Sequence, residues 1–396
     1  MQLLEPAVEP NGDTDPPFIT LLVPAMNEEI NIREFVSWCK LGLAQLDRSG
    51  EILIVDSSTD STARLAQEAG ARVLQTSPGG LGQAYKDGLI YAQGEFLILG
   101  DADCTYDFRH LKPFVDAYAS GYEFVMGSRF RGSIEPGAMP VSHRYFGTPL
   151  TTWFLNVIFG THYTDIHCGM RGISKTAFQA MDLRSCGWEY ASEMVIKARQ
   201  MAVPTTEVPI AFLRDRNGRQ SHMKRVGVFG SFQAGFQNLK AMLVYGPSFF
   251  LLPIGLAMLL IGVASTLLIA LRTVSVLGVT LAAVSQAIFA LIALLGAELT
   301  ALGVLSRSLQ DRTGEFHQRL AKLLPFRRTC WVVGLLSMAG FAMAVPSFAQ
   351  FLQNATVDVG ASEFGFAILG GLAIGLAFSL FTTMLVVQLV STINRK

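Results

Sequence analysis

The fold is decided by residues 96–103, which read Phe-Leu-Ile-Leu-Gly-Asp-Ala-Asp. Four apolar residues followed by glycine and two acids predict a buried strand that ends near Gly100 and a turn that carries the acids. In open sheets covered by helices, ligands bind beyond the carboxyl ends of the strands. We therefore expect Asp101, Ala102 and Asp103 to line a binding site.

Upstream of this stretch, apolar runs alternate with helical patterns from Phe18 onward. The predicted strands are 19–23, 51–56, 71–75 and 96–100, and the predicted helices are 30–46, 61–69 and 83–92. This alternation predicts an α/β domain whose mostly parallel sheet is flanked by helices. The polar residues after the first two strands, Asn27 with Glu28 and then Asp56, should therefore lie on the same edge of the sheet as Asp101.

The pair Asp101 and Asp103 has the chemistry of a divalent metal site. Mg²⁺ and Mn²⁺ prefer oxygen ligands, and Mg²⁺ usually combines one or two carboxylates with water and phosphate oxygens. An isolated Asp-x-Asp pair is more often solvated surface charge, so the interpretation depends on the neighbouring motifs.

Three segments, in this order and spacing, resemble the family 2 nucleotide-sugar glycosyltransferases. They are Val-Pro-Ala-Met-Asn-Glu-Glu at 23–29, Ile-Val-Asp-Ser-Ser-Thr-Asp at 54–60 and Gly-Asp-Ala-Asp at 100–103. Three further segments resemble the polyprenyl-phosphate branch of that family, the dolichol-phosphate glucose or mannose synthases. They are Val-Met-Gly-Ser-Arg-Phe at 125–130, Ile-Glu-Pro-Gly-Ala-Met-Pro at 134–140 and His-Cys-Gly-Met-Arg at 167–171. The resemblance covers about residues 18–242.

The resemblance implies a GT-A fold that binds a nucleotide diphosphate sugar. In this interpretation Asp101 and Asp103 hold Mg²⁺ or Mn²⁺ and, through it, the diphosphate. The implied nucleotide-binding residues are Pro24, Ala25, Asn27, Glu28, Asp56, Asp101, Ala102, Asp103, Arg219 and Lys224. Two positions depart from the family pattern: Ser57 stands where an acid or amide is common, and Thr105 stands where some relatives have a glutamine metal ligand.

The resemblance also implies an acceptor side. Arg129, Arg144 and Thr148 match residues that hold the lipid phosphate, and an arginine fork suits phosphate oxygens. A solvated surface arginine is the alternative for each. The residues expected to shape the pocket or to contact the donor sugar are His167, Arg171 and Glu193, although an ion pair of Glu193 with Arg171 or Lys197 is an equally good interpretation.

A membrane domain is predicted from the distribution of charge. Residues 1–246 contain 22 basic and 26 acidic residues, whereas residues 247–396 contain 9 and 5. Four apolar stretches in the second part are long enough to cross a bilayer, at about 249–271, 278–304, 329–353 and 364–393. Basic residues concentrate in the link 305–328 and at the C-terminus, so the positive-inside rule places the first domain, this link and both termini in the cytoplasm.

The predicted organisation is a disordered tail at 1–17, a catalytic domain at 18–225, an interfacial amphipathic helix at 226–246 and a membrane domain at 247–396. A second surface helix is predicted within 309–324. No secretory signal pattern precedes the first domain. The expected location is the plasma membrane, or the endoplasmic reticulum in a eukaryote. Zero net charge gives no reason to expect a nucleic-acid partner, and the membrane helices would allow a homo-oligomer.

The resulting hypothesis is the transfer of one hexose from a UDP-glucose or GDP-mannose type donor to a polyprenyl phosphate, with inversion. A processive polysaccharide synthase is one alternative, but its Gln-x-x-Arg-Trp motif is absent from the sequence. A glycolipid-forming transferase with a hydroxyl acceptor is another, and it would need a catalytic base. A transporter with a regulatory nucleotide-binding domain belongs to a different class and explains fewer of the motifs.

Overall fold

The computed structural model forms two compact units, Met1–Tyr245 and Gly246–Lys396. It describes residues 1–5, 16–215, 240, 243–271, 274–276, 279–281, 283–310, 314–354 and 362–393. Arg219, Lys224 and most of the predicted surface helix 226–246 lie outside the described residues, so those predictions stay predictions.

The first unit is built on an eight-stranded sheet with the order β1-β4-β3-β2-β5-β7-β6-β8. The strands are β1 (Gln2–Leu4), β2 (Ile19–Ala25), β3 (Gly50–Asp56), β4 (Arg72–Gln75), β5 (Phe96–Leu99), β6 (Phe124–Ile134), β7 (Arg171–Ser174) and β8 (Thr205–Phe212). Strands β4, β3, β2 and β5 are parallel neighbours, and so are β6 and β8. β7 lies antiparallel between β5 and β6, which makes the sheet mixed.

Helices flank this sheet as the alternating pattern predicts. They are α1 (Ile32–Leu43), α2 (Thr62–Glu68), α3 (Leu81–Tyr91), α4 (Lys112–Ala119), a π-helix (His143–Gly147), α5 (Thr148–Phe159), α6 (Lys175–Met181) and α7 (Tyr190–Gln200). The predicted α/β class is confirmed, and every strand and helix predicted between residues 19 and 100 is present with bounds shifted by a few residues.

The apolar runs of the strands are continuous because both faces of the sheet are covered. Ile19, Leu21 and Val23 of β2 pack into a core that includes α1, whereas Leu22 joins a separate core on the opposite face that includes α3. All four of these side chains are 0% exposed. Burying each contributes roughly 1.5–3 kcal/mol, so these strands hold the polar residues at their ends in fixed positions.

The N-terminal residues differ from the prediction of a disordered tail. Gln2–Leu4 form β1, which pairs antiparallel with β4 at the edge of the sheet. The Glu5 carboxylate accepts a hydrogen bond from Arg72 Nε at 3.2 Å. An edge strand leaves backbone groups open for pairing, and three residues without a strong strand pattern are sufficient to use them.

The second unit contains four helices long and apolar enough to cross a membrane. They are α8 (Pro247–Leu271), α9 (Ala283–Gln310), α11 (Phe326–Asn354) and α12 (Ser362–Ile393). In the most apolar 18 residues of each helix, no more than 28% of the residues are buried. The prediction of four spans agrees with these helices, except that the second begins at Ala283, because β10 (Val279–Leu281) pairs with β9 (Val274–Val276) before it. The link contains a short helix, α10 (Glu315–Leu323), where a surface helix was predicted.

Candidate active site

The polar residues after the parallel strands meet at one edge of the sheet. Ala25, the last residue of β2, pairs with Asp56, the last residue of β3. On the other side of β2, Leu22 pairs with Leu99, the last residue of β5. Asp101 therefore emerges beside the turns that follow β2 and β3, as the sequence predicts.

The turns after β2 and β3 bind each other. The backbone N–H of Asn27 donates to Ser58 Oγ at 2.7 Å, and its side-chain Oδ1 accepts from the Thr59 N–H at 3.0 Å. The N–H of Glu28 donates to Thr62 Oγ1 at 2.9 Å. Asn27 adopts a φ of 58°, a left-handed conformation that asparagine tolerates better than most residues. The two turns, which contain the predicted nucleotide-binding residues Asn27, Glu28 and Asp56, thus form one hydrogen-bonded wall.

Asp56 is nearly fully buried in this wall. Its Oδ1 accepts from Ser58 Oγ at 2.6 Å and its Oδ2 from the Ser58 N–H at 3.3 Å. Burial raises the pKa of Asp56, and the Ser58 hydrogen bonds oppose that rise. A carboxylate has about four acceptor positions, so Asp56 retains capacity to accept from a ribose hydroxyl.

The Asp-x-Asp turn is fixed from both ends. Tyr85 of α3 donates its hydroxyl to the carbonyl of Gly100 at 3.0 Å. Asp103 Oδ1 accepts from the Thr105 N–H at 2.9 Å and from the Thr105 hydroxyl at 2.5 Å. Thr105, which stands where some relatives have a glutamine, therefore orients the neighbouring carboxylate. Asp101 and Asp103 are both partly exposed.

The residues at this turn fit a divalent cation that also binds phosphate. A side chain on Gly169 would place its Cβ 2.9 Å from Asp101 Oδ2, so glycine allows the backbone to approach that carboxylate closely. Two carboxylates are a hard-oxygen donor set. Within the described residues no group of three His, Cys, Asp or Glu side chains could hold a metal ion. The cation would therefore depend on phosphate or water oxygens for its remaining ligands.

Arg129 is not a surface residue. It lies on β6, is 8% exposed, and forms a two-point ion pair with the fully buried Asp165. Its Nε and one terminal nitrogen donate to the two Asp165 carboxylate oxygens at 2.6 and 2.8 Å. The predicted contact of Arg129 with an acceptor phosphate stays a prediction, but it would require this guanidinium to act while two of its donors hold Asp165.

The segment 165–171 runs from this ion pair toward the Asp-x-Asp turn. His167 Nε2 lies 2.7 Å from the hydroxyl of Thr151 on α5. The fully buried guanidinium of Arg171 donates to the carbonyls of Cys168 and Ile166, each at 2.9 Å. Arg171 therefore folds the segment back on itself, and its predicted role in shaping the pocket would be exerted through the backbone.

Glu193 forms the ion pair that the sequence left as an alternative. It is fully buried on α7 and lies 2.7 Å from Lys197 Nζ. Its two oxygens also accept from the N–H groups of Arg184 and Ser185 at 2.9 and 2.8 Å. Burial alone would raise the pKa of Glu193, but these bonds, Lys197 first, lower it to about 2. This geometry does not favour the predicted contact with a donor sugar.

Two of the three predicted acceptor residues, Arg144 and Thr148, lie on a helical segment with an exposed apolar face. Arg144 belongs to the π-helix, a form that often occurs at functional sites. Thr148 begins α5 and is nearly buried. Seven large apolar side chains of this segment are 39–72% exposed: Val141, Tyr145, Phe146, Leu150, Trp153, Phe154 and Val157. A continuous exposed apolar face of this size is typical of contact with lipid or another protein.

The glycine-rich loop before α3, Pro-Gly-Gly at 78–80, packs against the loop 184–187. The Gln83 N–H donates to the carbonyl of Cys186 at 3.2 Å. A Cβ on Gly80, whose φ is 94°, would stand 2.4 Å from that carbonyl oxygen. These glycines therefore allow the close approach of the loop 184–187.

Three residues of this site, Asp165, Thr151 and Tyr85, were not predicted from the sequence. Asp165 pairs with a residue 36 positions away, and no local spacing indicates that contact. Its only signal is an acid two residues before His167. Tyr85 occupies an ordinary apolar position of a helical pattern, and its hydroxyl becomes relevant only once α3 lies against the strand ends.

The chain is similar in sequence to known glycosyltransferases. The family model described as "Glycosyl transferase family 2" matches residues 20–181. The low-salt glycan biosynthesis hexosyltransferase Agl6 of Haloferax volcanii is 36% identical over 260 residues, which is 65% of this chain and 61% of that protein. The dolichyl-phosphate hexose transferase of the same organism is 29% identical over 184 residues, or 44% of this chain and 77% of that protein.

Among solved structures, glucosyl-3-phosphoglycerate synthase from Mycobacterium tuberculosis, in complex with Mn²⁺, uridine diphosphate and glucosyl-3-phosphoglycerate, matches with a TM-score of 0.46 and 19% identity, over 58% of this chain and 80% of that one. A second family model, the Syntaxin-5 N-terminal, Sly1p-binding domain, matches residues 305–323 alone. That short match covers the last residues of α9 and the amphipathic helix α10, and it includes residues 311–313, which lie outside the described residues.

Proposed function

Because the chain belongs to glycosyl transferase family 2, we propose that it transfers one hexose from a nucleotide diphosphate sugar to a polyprenyl phosphate. The reaction would take place at the cytoplasmic surface of a membrane and invert the anomeric carbon. The apolar helices of the second unit would anchor the chain in the bilayer.

The observation that carries the proposal is the exposed apolar face of the helical segment that presents Arg144. A soluble acceptor would not explain why large apolar side chains such as Phe146 and Trp153, which are 72% and 57% exposed, lie on the same segment as Arg144. A polyprenyl phosphate combines a hydrocarbon chain with an anionic head, so it matches both features. The similarity to a dolichyl-phosphate hexose transferase supports the same acceptor class.

The donor would lie against the wall formed by the turns after β2 and β3. Asn27, Glu28 and Asp56 would contact the nucleoside, with Pro24 and Ala25 forming the base of the turn. Asp101 and Asp103 would hold Mg²⁺ or Mn²⁺, which, when bound, neutralises charge on the diphosphate. Arg219 and Lys224, which lie outside the described residues, would act on the same leaving group.

In the chemical step, an acceptor phosphate oxygen forms a bond to the anomeric carbon while the bond from that carbon to the diphosphate oxygen breaks. A phosphate monoester has a second pKa of about 6 and is already anionic at neutral pH. It therefore needs no general base. Arg144 and Thr148 would hold the phosphate in line, and positioning and electrostatics would supply most of the rate.

The surroundings of the site favour this acceptor over a hydroxyl group. A hydroxyl acceptor would need a base within reach. Burial lowers the pKa of His167 to about 4, and its Nε2 is bonded to Thr151. Glu193 is paired with Lys197. In this proposal Arg129 supports the site through Asp165.

The test uses membranes that contain the full chain. Radiolabelled UDP-glucose and GDP-mannose are each offered with an undecaprenyl-type phosphate, a dolichyl-type phosphate or a neutral diacylglycerol. We expect one labelled lipid that requires a polyprenyl phosphate, contains one hexose and is released by mild acid. Label in diacylglycerol or in polymer would overturn the proposal in favour of a hydroxyl acceptor or a processive synthase.

A further inference from the structure

Helix α5 is fastened to the segment 161–167 by polar side chains on a single face. Thr151 contacts His167 at 2.7 Å, and the Thr152 hydroxyl accepts from the Ile166 N–H at 3.5 Å. Asn156 Oδ1 accepts from the Tyr163 N–H at 3.0 Å, and its Nδ2 donates to the Tyr163 carbonyl at 2.8 Å. The opposite face of α5 is the exposed apolar one. The helix therefore has one exposed apolar face and one face that is hydrogen-bonded to the segment 161–167.

The Thr151 hydroxyl lies among several hydrogen-bond partners. It is 2.8 Å from the Gly147 carbonyl and 3.1 Å from the Thr148 carbonyl, both of which can only accept. The arrangement that satisfies the most partners directs the hydroxyl proton to a carbonyl, and Thr151 Oγ1 then accepts from His167 Nε2–H at 2.7 Å. Burial lowers the pKa of His167 to about 4, which keeps the imidazole neutral at neutral pH.

The contact joins the acceptor helix to the donor side. The same Thr151 hydroxyl anchors Gly147, the last residue of the π-helix that presents Arg144. On the other side, the backbone N–H of His167 donates to Asp165 Oδ1 at 3.3 Å. Two residues further along the chain, Gly169 lies beside the Asp101 carboxylate. His167 is thus the side-chain link nearest along the chain to Gly169, and it joins α5 to the backbone that runs beside the Asp101 carboxylate.

We propose that His167 is a positioning residue: its Nε2–H bond to Thr151 fixes the π-helix and α5 relative to the Asp-x-Asp turn and so aligns the acceptor phosphate with the donor. This inference rests on the proposed function for its kinetic consequence. His167 does not take a proton from the substrate in this role, because its Nε2–H is directed at Thr151.

The test compares variants that differ in this one bond. Thr151→Val and His167→Leu remove it, whereas Thr151→Ser and His167→Gln retain an acceptor and a donor at the corresponding atoms. We expect Thr151→Val and His167→Leu to raise the KM for polyprenyl phosphate roughly tenfold, with the KM for the nucleotide sugar unchanged. Thr151→Ser and His167→Gln should keep the KM for polyprenyl phosphate close to the wild-type value. The double variant Thr151→Val/His167→Leu should raise this KM no more than either single variant does.

Hydrogen–deuterium exchange of the full-length protein gives a readout that does not depend on turnover. Thr151→Val and His167→Leu should speed exchange in residues 143–159 and leave residues 54–62 unchanged. Unchanged exchange in 143–159, or equal rises in both KM values, would overturn the proposal. If the variants show the expected faster exchange but the wild-type protein glycosylates no polyprenyl phosphate, only the proposed function is refuted.

Discussion

The charged residues of the candidate site lie in two regions, and residues in both regions were predicted from the same family resemblance. In the interior, Arg129 pairs with Asp165 and Glu193 pairs with Lys197. At the edge of the sheet, Asp101 and Asp103 remain partly exposed, and Arg144 does so on the π-helix. Each region contains residues that match family motifs, but the surroundings of the two sets are opposite.

The difference follows from the free energy of burying a charge. An ion in the interior costs several kcal/mol unless it is paired and hydrogen-bonded, so buried charges arrive with partners. A group that already holds a partner must give it up before it can bind substrate. The partly exposed set keeps water contact, so substrate can replace that water. We therefore expect interior variants to change stability and edge variants to change activity.

Arg129→Met should have the largest effect. It would leave the Asp165 carboxylate buried without its ion-pair partner, which costs about 3–5 kcal/mol and corresponds to a fall in Tm of roughly 10 °C for a unit of this size. The melting of the detergent-purified protein measures this. Arg129→Met/Asp165→Asn should recover part of the loss. A normal Tm with a raised KM for polyprenyl phosphate would instead support the predicted phosphate contact.

Asp103→Asn should lower kcat by on the order of a hundredfold, since it replaces one of the two carboxylates of the proposed metal site by a neutral amide, while Tm changes little. Thr105→Val, which removes one hydrogen bond to the same carboxylate, is the graded control and should have a smaller effect. Full activity of Asp103→Asn at saturating Mg²⁺ or Mn²⁺ would refute the metal assignment.

Glu193→Gln should change how stability depends on pH. Because the pKa of Glu193 in the folded protein is lowered to about 2 from an ordinary 4.5, its charge stabilises the fold above pH 4.5, and this contribution is lost as the pH falls toward 2. The contribution is on the order of 2 kcal/mol. We expect a flatter Tm profile over that window in the variant. A profile parallel to that of the wild type would contradict the buried pair.

Arg144→Gln should raise the KM for polyprenyl phosphate about tenfold and leave Tm and the KM for the nucleotide sugar unchanged, because it removes one charge-assisted contact from a partly exposed site. Arg131→Gln, an exposed arginine on β6, is the matched control and should have no kinetic effect. An Arg144→Gln enzyme with wild-type acceptor kinetics would remove Arg144 from the site.

Much of the fold was predictable from local patterns. Strands β2, β3 and β5 and helices α1 to α3 follow from apolar periodicity, since those strands are buried on both faces. The edge strand β1 was not predictable, because Gln2–Leu4 is stabilised by pairing with β4 and not by its own pattern. The start of the second apolar helix was predicted five residues too early. Residues 279–281 continue the apolar run of that helix, but they form a strand that pairs with β9.

The candidate site was also predictable only in part from the sequence. The sequence indicated which residues follow the strands, because the carboxyl ends of parallel strands share one edge. It did not indicate that the turns at Asn27 and Ser58 bind each other or that Cys186 fills the glycine-rich loop. Those contacts join residues far apart in the chain.

By itself, the sequence determined the α/β class, the four apolar helices and the position of Asp101 and Asp103 after a buried strand, because these depend on hydrophobic periodicity and local order. Only the tertiary structure decided that Arg129 and Glu193 are paired in the interior while Arg144 is presented on an apolar helix. A charged residue looks the same in every sequence, and its role depends on whether folding buries it against an opposite charge or leaves it partly exposed.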